Sequence, residues 1–152
     1  MKPSIFSSLF MLSIAAVVFT GCGKYEDGPA FSLRSKNARL QGEWELTEAE
    51  GPDFTYNGSV YTYIDGYSYP YTYSMTLEKD GTFESEERID STLDVDKGYW
   101  SWRDGASSKE LLDLPDYALS YDLLKVVKLT SKELVLSAAQ DDGDVTYVFE
   151  KK

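Results

Sequence analysis

The chain has 152 residues, with 15 Lys+Arg against 26 Asp+Glu for a net charge of −11, one cysteine and no histidine. That balance opposes nucleic acid, whose phosphates are held by lysine and arginine. The missing histidine excludes Ser-His-Asp and Cys-His catalysis and imidazole zinc sites, and a lone cysteine leaves no internal disulfide.

The chain opens with Lys2, then an apolar run over residues 5–19 broken by Ser7, Ser8 and Ser13, then Thr20-Gly21 and Cys22. A basic start, roughly 7–15 apolar residues and a small-residue cut make a secretory signal. Spanning a membrane takes about 20 apolar residues, which this run does not reach. Phe19-Thr20-Gly21-Cys22 resembles the lipobox of bacterial lipoproteins. The resemblance implies that residues 1–21 are a removed signal peptide and that Cys22 is acylated as the new N-terminus. Residues 22–33 place Lys24, Glu26 and Asp27 around Gly23 and Gly28 without apolar periodicity, as a flexible tether does. Acidic residues at this point resemble the surface-export signal of Bacteroidota lipoproteins. The expected location is the outer membrane, lipid-anchored, on its periplasmic or cell-surface face.

Residues 34–152 are expected to form one domain. Ser35 is placed to cap a short helix over residues 37–40, with Gly42 at the terminating position. After Gly42 the period changes. Trp44 and Leu46 alternate with charged residues, as a half-buried strand requires. Further strands are expected at residues 60–64, 69–77, 82–89, 98–103, 123–130, 133–138 and 145–151, with a short one at 111–114. Asp65-Gly66 and Asp80-Gly81 are hairpin pairs, because glycine accepts positive φ. Thr130-Ser131-Lys132 and Asp141-Asp142-Gly143-Asp144 separate the last three strands. Asp90, Asp94 and Asp96 read as a solvated loop. Short turns between consecutive strands imply antiparallel meanders, and closure removes exposed edges. The expected fold is all-β, an antiparallel up-and-down barrel of about eight strands with a short N-terminal helix, with an open sandwich as the alternative.

Gly42-Glu43-Trp44 after a helical turn resembles the G-x-W that opens the first strand of lipocalins. Tyr25-Glu26-Asp27-Gly28-Pro29, Ser32-Leu33-Arg34-Ser35-Lys36, Arg39-Leu40 and Gly42-x-Trp44 together are similar to the start of small lipocalin-like lipoproteins of Bacteroidota. The resemblance implies a lipocalin-like barrel whose bottom is closed by Trp44, with a basic side chain of the last strand across the indole. Lys151 and Lys152 are the late basic residues, and no arginine follows Arg103. It also implies binding of a small ligand, without saying which.

The densest aromatic positions are the candidates for such a site. Tyr61 and Tyr63 share one strand face, as do Tyr67, Tyr69, Tyr71 and Tyr73, with Phe54 and Tyr56 just before them. Trp100 and Trp102 share a face of their own strand. Tyrosine offers an apolar ring with a polar tip, which suits sugars and planar molecules, but aromatics also pair well across hairpins. The aspartates at 141–144 lack the twelve-residue frame and final glutamate of an EF-hand, so a turn is the better account. No phosphate loop, nucleophile elbow, metal motif or cofactor motif occurs, so a catalytic residue is not assigned. Two function classes remain: a lipid-anchored module holding a small apolar or sugar-like ligand, or a non-enzymatic accessory protein with a filled barrel that contacts an envelope protein. The interior of the barrel discriminates them.

Overall fold

The computed structural model describes residues 34–103, 110–116, 119, 121–141 and 143–152. The proposed signal peptide, Cys22 and the whole tether lie outside the described residues. Ser35 starts the helix α1 (Lys36–Leu40), its Oγ accepting from the Ala38 N–H at 3.2 Å. The helix stops at Gln41, and Gly42 takes φ +120°, where a Cβ would lie 2.7 Å from the Lys151 side chain. Only glycine fits both the angle and the approach.

Eleven antiparallel strands follow among the described residues: β1 (Gly42–Gly51), β2 (Phe54–Tyr56), β3 (Val60–Tyr63), β4 (Ser68–Leu77), β5 (Thr82–Ile89), β6 (Thr92–Tyr99), β7 (Ser101–Trp102), β8 (Leu111–Asp116), β9 (Tyr121–Leu129), β10 (Glu133–Ala138) and β11 (Val145–Lys151). Ladder order is β6-β5-β4-β3-β2-β1-β11-β10-β9-β8-β7, with β4 also pairing β1. The end strands β6 and β7 are separated in the chain by Trp100 alone. The sheet therefore wraps onto itself through β1, β4, β5, the β6–β7 segment, β8, β9, β10 and β11. The β2–β3 hairpin is an insertion into this ring. β1 and β4 pair directly over Gly42–Glu45 and Ser74–Leu77, then diverge, and the hairpin fills the fork.

Three differences from the sequence pattern explain why there are eleven strands and not about eight. The inserted hairpin adds β2. Residues 90–96 are no loop: Asp90 turns the chain at φ 53°, and Thr92 to Tyr99 pair with β5 along their whole length. The strand expected at 98–103 is split, since Gly98 and Tyr99 end β6 while Ser101 and Trp102 pair with Asp113 and Leu112 of β8. Both Asp-Gly turns form, with Gly66 at φ +89° and Gly81 at φ +91°.

The interior is built by alternation. Trp44, Leu46, Tyr73, Met75, Leu77, Phe83, Leu112, Leu114, Leu124, Val126, Leu134, Leu136, Val145 and Phe149 point inward into one core, none more than 3% exposed. A ligand-sized hollow would leave accessible surface on the side chains that line it. These have essentially none, so the barrel's centre is solid, as expected when a ring this narrow fills with its own side chains.

Candidate functional site

The two ends of the barrel differ. One end is closed by α1, the turn between β4 and β5, and the C-terminus. Trp44 is fully buried there, its Nε1 donating to the Leu40 carbonyl at 2.7 Å. Lys151 Nζ sits 4.7 Å from the indole centroid and donates to the carbonyls of Arg39 and Gln41. Burial, reinforced by the Arg34 charge, pushes the Lys151 ammonium below its usual pKa. Arg39 is also buried and donates to the Leu129 carbonyl at 2.7 Å.

Trp100 and Trp102 belong to this closed end. The Trp100 indole donates to the Glu78 carbonyl at 3.0 Å, and the Trp102 indole to Asn37 Oδ1 of α1 at 3.0 Å. Their rings meet edge to face with centroids 6.5 Å apart. They brace the helix against the β4–β5 turn.

The tyrosines gather at the other end, the mouth. Asn57 Oδ1 accepts the Ser59 and Val60 N–H groups, turning β2 into β3. Asp65 Oδ1 accepts the Tyr67 N–H, turning β3 into β4. The resulting register sets Tyr56 opposite Tyr61, Tyr61 opposite Tyr69, and Phe54 opposite Tyr63. Phe54 stacks on Tyr61 at 4.7 Å and Tyr61 on Tyr69 at 5.3 Å, with interplanar angles of 15° and 14°. Tyr56 meets Tyr71 edge to face and donates its hydroxyl to the Tyr71 carbonyl.

Exposure grades along this face. Tyr73 and Tyr71 are core, Tyr61 and Tyr69 are half-buried, Tyr63 is 39% exposed, and Tyr67 at the turn is 64% exposed. Burial, a hydrogen bond with the Tyr63 hydroxyl and the nearby Glu87 charge together push Tyr69 up to about 12. Burial first, and Glu45 second, also raise Tyr56. The structure thus brings Tyr61, Tyr63, Tyr69 and Tyr71 onto one surface, assigns Tyr73 to the core beside Phe149, and sets Trp100 and Trp102 at the opposite end. The height of a residue along a barrel strand depends on register, which a strand pattern does not contain.

The rings of Tyr63 and Tyr67 stand exposed on this surface. Three grooves lie elsewhere on the described surface: about 620 Å³ between Glu43, Thr76, Glu84, Lys97 and Lys152, about 500 Å³ beside Lys132 and Lys151, and about 170 Å³ beside Thr72 and Arg88. None is lined by Tyr61, Tyr63, Tyr67 or Tyr69. The largest is bridged by exposed ion pairs, Lys97 to Glu84 at 2.6 Å and Lys152 to Glu43 at 3.1 Å. Such pairs are worth little in water and mark a solvated surface.

Glu87 is a mouth residue that the strand pattern does not single out. It stands opposite Tyr73 on the tyrosine-bearing face of the sheet. Compared with known proteins, the chain matches no family model, no curated protein and no solved structure at a significant level.

Proposed function

We propose that this chain is a lipid-anchored envelope lipoprotein whose lipocalin-like barrel is a scaffold for contacting another envelope protein, without catalysis. The observation that carries the reading is the solid interior combined with an aromatic face at the mouth. A barrel with no hollow has nowhere to enclose a ligand, whereas an exposed tyrosine face on a rigid ring suits a protein contact, where Tyr is enriched. The lipocalin-like element is supported by the closed ring and by Lys151 lying across Trp44, the arrangement the resemblance implies. The anchor rests on the lipobox-like residues ending at Cys22. The described chain enters the domain at α1, at the end opposite the tyrosine face. The outer membrane is the proposed location, with the face turned to the periplasm or the cell exterior. A small apolar or sugar-like ligand remains a second reading, favoured by the exposed rings of Tyr63 and Tyr67.

The test uses a photo-crosslinking amino acid introduced in cells at Tyr67 or, as a control, at Glu150 near the closed end. A discrete crosslinked protein from position 67 alone is the expected result. Crosslinks from both positions equally, or from neither, defeat the interaction reading. The anchor is checked separately: Cys22→Ser should move the chain to the soluble fraction, and an unchanged membrane fraction with an unchanged N-terminal peptide mass excludes acylation.

A further inference from the structure

The tyrosine face sits in a strongly one-sided electrostatic setting. Around the mouth stand Glu50, Asp53, Asp65, Glu87, Asp90 and Asp94, on β1, β5, β6 and the turns beside them. Arg88 is the basic residue of that end among the described residues, with Lys125 nearer mid-barrel. Basic residues gather instead at the closed end, where Arg34, Arg39, Lys79, Lys132, Lys151 and Lys152 balance the acids. Among the described residues, the excess negative charge is therefore concentrated at the mouth. Two of the mouth acids adjoin the tyrosines directly. Glu87 stands opposite Tyr73 and close enough to Tyr69 to oppose ionisation of its hydroxyl. Asp90 donates its N–H to the Pro70 carbonyl, between Tyr69 and Tyr71.

We propose, building on the interaction reading above, that the tyrosine face docks a basic, arginine-bearing segment of a partner protein. The argument is charge complementarity combined with ring chemistry. An aromatic face carries partial negative charge and attracts cations, and arginine also stacks flat on it. Carboxylates at the rim attract the same groups over longer range and repel anions, including phospholipid headgroups. None of the three described grooves is lined by Tyr61, Tyr63, Tyr67 or Tyr69, which favours an extended segment over a small cation, since that needs a concave site. Tyr63 and Tyr67 supply exposed rings, and Glu87, Asp90 and Asp65 the countercharge. The polarity also fits the anchored state, since the end where the described chain enters is the one free of excess negative charge.

The experiment uses the full chain in neutral detergent and fluorescein-labelled nona-arginine, with nona-lysine, nona-glutamate and tetramethylammonium as comparison probes. Anisotropy should show nona-arginine binding more tightly than nona-lysine, weakening as salt shortens the screening length toward 8 Å and below. Tyr67→Ala should weaken nona-arginine by about threefold, as loss of one exposed cation–ring contact implies. Glu87→Gln with Asp90→Asn should also weaken it, whereas Glu133→Gln with Glu150→Gln, an equal charge change at the closed end, should not. Circular dichroism checks that each variant is folded. Equal losses from both ends, equal affinity for the two cationic peptides, or no binding overturns the proposal. Displacement of the peptide by millimolar tetramethylammonium also overturns it, in favour of a small organic cation. If nona-arginine fails but position 67 still crosslinks a protein in cells, the charge inference falls and the interaction reading stands. If both fail, both fall.

Discussion

Replacing Trp44 by alanine tests whether the barrel is solid. The indole is fully buried, bonds the Leu40 carbonyl and lies under the Lys151 ammonium. Truncating a buried Trp or Phe to Ala costs about 3–5 kcal/mol through lost transfer energy and the void left behind. The orphaned Leu40 carbonyl adds about 1 kcal/mol, and the lost cation–ring contact about 0.5–1 kcal/mol. The total, about 4.5–7 kcal/mol, approaches the whole stability of an ordinary domain, about 5–15 kcal/mol. Urea unfolding followed by far-UV circular dichroism should show the midpoint falling by about 2 M or more, given slopes of about 1–3 kcal/mol per M. Trp44→Phe keeps a ring but loses the Nε1 donor, and should fall between parent and alanine. The void in Trp44→Ala should accept indole and recover stability as the added concentration exceeds its dissociation constant. The parent should gain nothing from indole. A loss below about 1 kcal/mol in Trp44→Ala, or equal stabilisation of the parent by indole, would refute the solid interior and return the small-ligand reading to first place.

Three further outcomes follow from particular contacts. Trp100 N–H bonds the Gly81 carbonyl, and that parity turns the Val95 and Lys97 N–H groups toward the open edge of β6, where Asp94 and Asp96 Oδ1 accept them. Asp94→Ala with Asp96→Ala should uncover this edge and produce concentration-dependent dimers in sedimentation velocity; an unchanged profile rejects the guarding role. Tyr69 is pushed up to about 12 from the ordinary tyrosine value of about 10, so its contribution to stability is complete below about pH 10 and is lost as pH rises through about 12. Absorbance at 295 nm should show late-titrating tyrosine, and Tyr69→Phe should reduce that late amplitude by one tyrosine. Gly42→Ala should lower the midpoint by more than an ordinary helix-to-strand joint, because φ +120° and the Lys151 side chain 2.7 Å from the new methyl both oppose it; a midpoint equal to the parent's contradicts the close approach.

What the sequence displayed of this fold depends on which strands obey simple alternation. β1, β4 and β9 to β11 place one apolar face inward, and their Asp-Gly, Thr-Ser-Lys and Asp-rich turns separate them, so both existence and order are legible. β6 reads differently. Its apolar Leu93 and Val95 face outward at 46% and 42% exposure, while Asp94 and Asp96 fall on the face that carries Tyr73 and Met75. A strand at a ring's seam need not bury a continuous face, and its acids serve the free edge. The break at Trp100 is equally hidden, because it arises from the chain switching partners from β5 to β8. For the site, parity pairs Tyr61 with Tyr63 along β3 and Tyr69 with Tyr71 along β4, while the Tyr61–Tyr69 register joins the two sets. Parity says nothing about height. Trp100 and Trp102 share the aromatic character of the tyrosines but lie a full strand length away, at the end that α1 covers.

The separation of the two aromatic groups divides the labour of the molecule. Indoles with buried N–H partners at the closed end fix α1, and with it the point where the chain enters, against the ring. At the mouth the rings stack on one another, and Tyr56 and Tyr71 tie the hairpin β2–β3 to the core. An inserted two-stranded hairpin is marginal alone. Its persistence here requires the ladder Phe54–Tyr61–Tyr69 and the anchoring of Tyr56 and Tyr71 in the core. The half of the tyrosine face nearest the core is thus structural, and the half nearest the turn, Tyr63 and Tyr67, is the part available to a partner. Substitutions should sort accordingly: Tyr56→Ala and Tyr71→Ala should lower thermal stability, whereas Tyr67→Ala should leave the melting temperature unchanged while weakening binding at the mouth. Loss of stability in Tyr67→Ala as large as in Tyr71→Ala would mean the whole face is packing, with no surface left over for recognition.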